Sequence, residues 1–144
     1  MTTTIDSTIR ALQSLVPSDD DAENVERLYE IFSEFRTLAG REQAAPAILD
    51  LLERFPEAEF GSPGPLVHEL EAIPGNELLL PESLHRQPTD LTVWMVNRIL
   101  NSVVSNEQRS MWLTELRLVL EHPNAPESTC EAVRDFLEHQ GTTA

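Results

Sequence analysis

The stretch TDLTVWMVNRILNS, residues 89–102, decides the fold class. Leu91, Val93, Trp94, Met95, Val96, Ile99 and Leu100 make it apolar nearly all round, the mark of a helix packed on several sides at the centre of a helical protein. Thr89 is suited to cap its N-terminus. Asn97 and Arg98 interrupt the apolar surface. A guanidinium near a core calls for a carboxylate partner, so an internal salt bridge is the expected role of Arg98.

The helical period continues on both sides of this run. Ile5, Ile9, Leu12 and Val16 form one stripe, ended by Pro17. Ser18 and Asp19–Asp21 open the next helix, where carboxylates suit the positive end of the dipole and need no metal to explain them. Val25, Leu28, Phe32 and Phe35 are its buried stripe. Ile48, Leu51, Leu52 and Phe55 face inward in PAILDLLERF, and a short helix covers ELLLPESLHR, residues 77–86. Ser105 and Gln108 form a capping-box pair for a helix carrying Met111, Leu113, Leu116 and Leu120, with Trp112 read as core or, alternatively, as an aromatic anchor. The last helix starts near Pro126 and holds Cys130, Val133, Phe136 and Leu137. No sustained period-two alternation and no tight hairpin signal occurs. The expectation is an all-α chain, residues 1–144 as one domain, with about eight short helices arranged as stacked antiparallel pairs or as an irregular bundle. Helix-ending prolines at 56, 88 and 123 recur at the spacing of helical-hairpin repeats. Prolines also follow helix ends generally, so the echo alone does not choose between the two arrangements.

Charge narrows the function. The chain has 25 acidic and 10 basic residues, every basic one an arginine, and a formal net charge of −15. Such a surface repels phosphate backbones and anionic membranes, which argues against direct nucleic-acid or membrane binding. It attracts basic proteins and speeds encounter with them, or it serves solubility alone. Glu23, Glu26, Glu30 and Glu34 form an acidic stripe at helical spacing, read either as a solvated face or as a docking face for cations. No apolar run approaches the roughly 18 residues of a membrane helix. The N-terminus shows no secretory leader pattern and the one cysteine forms no intramolecular disulfide, so a cytoplasmic location is expected.

No motif argues for catalysis. The four histidines, at 68, 85, 122 and 139, fit no metal-ligand spacing; His68 and Glu71 read better as a local hydrogen-bonded pair. No nucleophile–base arrangement stands out, so no catalytic residue, metal or cofactor is assigned and an enzyme is not expected. The run GSPGPLVHELE, residues 61–71, looks at first like a phosphate loop. A phosphate cradle needs several free amides at a helix start, and two prolines remove two of them. It reads as a rigid helix start, with Ser62 as cap, Pro63 as first residue and Pro65 as third, and as an element that can fix the shape of a nearby surface.

FGSPGPLVHELE (60–71) and SLHRQPTDLTVWMVNRILNS (83–102), with a looser echo in RDFLEHQ (134–140), resemble a family of small bacterial immunity proteins. That family resembles HEAT-like helical-repeat modules and belongs to polymorphic-toxin and contact-dependent-inhibition systems. The matching segments cover roughly a third of the chain. The resemblance implies a non-catalytic inhibitor that binds a cognate toxin, blocking its active site or its access to substrate. Residues 1–55 would be a variable, partner-specific part and 56–144 the repeat-like part. A basic toxin, such as a nuclease, would suit the acidic surface. The expected contacts are Glu69, Glu71, Glu77, Glu82, Arg86 and Asp90, with the Glu23/Glu26/Glu30/Glu34 stripe as runner-up. Trp94, Asn97 and Arg98 lie in the matching string and are either anchors or packing residues. The alternative function is a non-catalytic helical scaffold in a larger complex.

Overall fold

A computed structural model describes residues 3–142. Among them are eight α-helices, three 3-10 segments and no strand, so the chain is all-α as expected. It divides into two compact units, Met1–Leu79 and Leu80–Ala144. The division falls inside the run read as one helix over 77–86. That run is instead a 3-10 turn, Asn76–Leu79, followed by a separate α-helix that starts at Leu80. Pro81 explains the break, because proline is tolerated only in the first turn of a helix.

In the first unit, α1 (Ile5–Ser14) opens on a capping box between Thr4 and Ser7. Leu15 is already extended, so the inward stripe closes on buried Leu12 and Leu15, and Val16 is exposed rather than inward. The acidic run caps α2 (Asp21–Ile31), the Asp20 carboxylate accepting from the Glu23 amide at 3.2 Å. Leu28, Phe32 and Phe35 are buried as expected, while Val25 is half-buried. The rings of Phe32 and Phe35 meet edge to face at 5.2 Å. The helix stops at Ile31, which leaves Glu34 beyond its end. The most enclosed helix here is α3 (Ala45–Arg54), burying Ile48, Leu49, Leu51 and Leu52 and packing on α1 and on α4 (Gly64–Glu71). α4 also packs on α2.

α4 begins one residue later than the sequence reading. Pro63 holds the capping position, Gly64 is first and Pro65, buried, is second. No side chain caps it, so Ser62 does not have the role expected of it. Gly61 and Gly64 both have positive φ, +106° and +80°. The chain therefore turns through Ser62, and helical geometry starts only after the turn.

The second unit contains α5 (Leu80–Arg86), α6 (Asp90–Leu100), α7 (Asn106–Leu120) and α8 (Glu127–His139). α6 packs against the other three, which is the central place its all-round apolar sequence predicts. Thr89–Thr92 and Ser105–Gln108 capping boxes open α6 and α7. On α7 the buried stripe is Trp112, Leu116 and Val119; Leu116 is inward as expected, but Met111 is exposed and Leu113 and Leu120 are only half-buried. Trp112, the largest side chain of the helix, sits in register with Leu116 and Val119, and placing it inward turns Met111 outward. Cys130, Val133 and Leu137 line the inner face of α8. Arg98 is exposed rather than near the core, its guanidinium lying 5.4 Å from the Trp94 ring centroid. The Gln140 amide donates to Asn97 (2.9 Å) and Asn101 (2.8 Å), and Arg109 donates back to Gln140, so Asn97 helps join the helix ends. Among the described residues, no helix is long and apolar enough to cross a membrane.

Candidate functional site

The six residues first expected to meet a partner divide between the units. Glu69, Glu71 and Glu77 lie in the first; Glu82, Arg86 and Asp90 lie in the second. Several already have partners. The Glu69 carboxylate is largely covered and accepts from Arg36 Nε at 2.7 Å. Arg86 lies 3.9 Å from Glu82, one helical turn away on exposed surface. Glu71 is half-buried, and its carbonyl accepts from Asn76. Glu77 is exposed on the 3-10 turn.

Asp90 has a structural task. Its carboxylate accepts from the Ser128 and Thr129 hydroxyls, at 3.0 and 2.5 Å, and so ties the start of α6 to the start of α8. Thr129 is fully buried. Asp90→Ala is expected to lower the stability of the second unit by about 1–2 kcal/mol. Urea denaturation followed by Trp94 and Trp112 fluorescence measures this. A loss below about 0.5 kcal/mol would show that the carboxylate is spare.

The acidic stripe is arranged differently. Glu23, Glu26 and Glu30 are exposed along α2, and Glu34 is exposed just beyond its end. None of the four makes an ion pair among the described residues. Beside them Tyr29 is 58 % exposed, an unusual setting for the only tyrosine of the chain. Tyr29, Val25 and Ala22 form one side of a shallow, open groove of about 530 Å³, with Asp21 and Glu26 on the same helix. Glu59, Gly61 and Ser62 close the other side. Gly61 and Ser62, the first residues of the GSPGP run, therefore line a surface groove, in keeping with the reading of that run as a rigid element that shapes a nearby surface.

Asn24 holds the two sides together. It is 1 % exposed, in the middle of a polar stretch of α2. Its Oδ1 accepts from the Ser18 amide at 2.8 Å, and its Nδ2 donates to the Ser18 carbonyl (2.8 Å) and the Glu59 carbonyl (3.3 Å). Asn24, Tyr29 and Glu59 were missed by the sequence reading. Tyr29 carried a signal, a large aromatic off the buried stripe; Asn24 and Glu59 carried none, since they meet across 35 residues of chain.

Two of the four histidines serve local structure. His85 Nε2 lies 2.8 Å from Glu115, and His122 bridges the His85 carbonyl and the Asn124 amide. The Asn124 amide donates to His122 Nδ1, which leaves the proton on Nε2 for the His85 carbonyl. Among the described residues, no group of three or more metal-ligating side chains converges.

No family model, curated protein or solved structure matches this chain.

Proposed function

We propose that the chain is a stoichiometric inhibitor of the immunity-protein kind: it binds one basic bacterial toxin domain in the cytoplasm and blocks its active site or substrate access. The observation that carries this reading is the α2 face, where Glu23, Glu26 and Glu30 project without ion-pair partners among the described residues, next to an exposed tyrosine. Residues 1–79 hold sixteen carboxylates against five arginines, a net −11 of the total −15, so the charge is concentrated in the unit that carries this face. A nuclease holds its substrate on a basic surface, and an acidic inhibitor occupies that surface by presenting the same sign of charge as the substrate. The resemblance at 60–71 and 83–102 points the same way.

Pull-down from the native host with the full chain as bait, read by mass spectrometry, tests the proposal. One stoichiometric basic partner, a toxin domain inhibited on binding, is the expected result. Its affinity should be nanomolar or tighter, about −12 kcal/mol. Its association rate should fall on the order of tenfold or more with added salt, with the dissociation rate changing less. Several weak partners and no inhibited toxin would favour the scaffold reading instead. That reading has one observation of its own: Met111 and Leu118, two turns apart on α7, are 41 % and 45 % exposed.

A further inference from the structure

The groove on α2 has two parts of different chemistry. Ala22, Val25 and Tyr29 give it apolar surface. Asp21, Glu26 and Glu59 add three carboxylates from two segments, none in an ion pair among the described residues. A neutral apolar ligand would gain the apolar surface but strip water from the carboxylates with nothing in exchange. An anion is repelled. A cation with a flat, weakly hydrated face satisfies both parts at once.

We propose that the Tyr29 groove takes an arginine-bearing segment of a basic protein partner, the guanidinium lying on the Tyr29 ring and donating to Asp21, Glu26 and Glu59. This rests on the reading of the chain as an acidic binding module and names the chemistry it recognises. Arginine fits better than lysine on physical grounds. Its guanidinium is planar, stacks on aromatic faces and presents five donors in a fixed fork, whereas the lysine ammonium is compact and strongly hydrated. The chain stacks its own guanidiniums the same way, Arg54 over Phe55 at 5.3 Å and Arg98 over Trp94 at 5.4 Å. At about 530 Å³ the groove exceeds one side chain and falls within the roughly 300–1,000 Å³ of ordinary ligand sites, room for a short stretch of backbone on either side. An exposed tyrosine ringed by polar groups is also a common anchor of protein interfaces.

Because Tyr29 is the only tyrosine, a chain labelled with ¹³C-tyrosine gives one set of ring signals, from the groove lining. The probe is a blocked peptide with arginine at two positions and glycine elsewhere. Its controls are the same peptide with lysine, and with citrulline, the neutral shape-mimic of arginine. The arginine peptide should shift the Tyr29 signals with an affinity at least about threefold above lysine and about tenfold above citrulline. Tyr29→Leu and Glu26→Gln, both at exposed positions, should each weaken peptide binding about three- to tenfold, read by titration calorimetry or by backbone signals of α2, with the helical circular dichroism unchanged. Equal response to arginine and citrulline, or unchanged binding in both variants, would overturn the proposal. The toxin reading fails separately. Selective arginine binding with no captured toxin keeps the groove and removes neutralisation, whereas a captured toxin indifferent to Tyr29→Leu removes the groove alone.

Discussion

Asn24→Ala is expected to destabilise the first unit by roughly 2–3 kcal/mol and to open the α2 groove. Alanine is the better helix former by about half a kcal/mol, which works in the opposite direction. The losses outweigh it. The amide of Asn24 is 1 % exposed and pairs with both backbone groups of Ser18 and with the Glu59 carbonyl. Truncation leaves these groups without their partner, and a buried unsatisfied backbone group costs about 1–3 kcal/mol. Ser18 itself is exposed and regains water, which keeps the total at the lower end. The loop at 59–62 also loses its hydrogen bond to α2, so the Tyr29 ring signals should move even well below the denaturation midpoint. Urea titration followed by ¹³C-labelled Tyr29 checks both points. A loss below about 1 kcal/mol with unmoved Tyr29 signals would mean that the α2–α4 packing alone holds the groove.

Gly61→Ala should cost roughly 2–4 kcal/mol, and Gly64→Ala only about 1–2. Both glycines have positive φ, so both substitutions carry the backbone penalty of an L-residue there. The difference between them is space. A Cβ on Gly61 would lie 2.5 Å from the Gly64 Cα and 3.1 Å from its amide nitrogen, backbone atoms that yield only if the whole turn shifts. A Cβ on Gly64 meets nothing within 4 Å. Thermal or urea denaturation of the two variants side by side therefore isolates the steric part. Equal losses would show that the close approach across the turn relaxes cheaply. The same shift of the turn displaces Ser62 and the groove wall, so Gly61→Ala should weaken partner binding where Gly64→Ala leaves it near normal.

Local sequence determined the elements and much of the inside. The Thr89 and Ser105 caps, the central place of α6, the inward Leu28, Phe32 and Phe35, and buried Cys130, Val133 and Leu137 all follow from period, capping chemistry and side-chain size, which act within a few residues. Tertiary structure decided the rest. Met111 faces outward beside inward Trp112, because neighbouring helices select which of two adjacent apolar residues fills the core. Val16 is outward because the chain leaves helical geometry at Leu15. Asp90, expected at a partner surface, accepts from Ser128 and Thr129, 38 and 39 residues away. The α2 groove needed Asn24 and Glu59 brought together from distant positions; sequence marked the glycine-proline run as a rigid helix start that shapes a nearby surface, and only packing sets Gly61 and Ser62 against α2. Hydrogen bonds and cavities between segments far apart in sequence leave no local period. Only the packed chain reveals that an acidic helix, a lone tyrosine and a stiff turn share one surface.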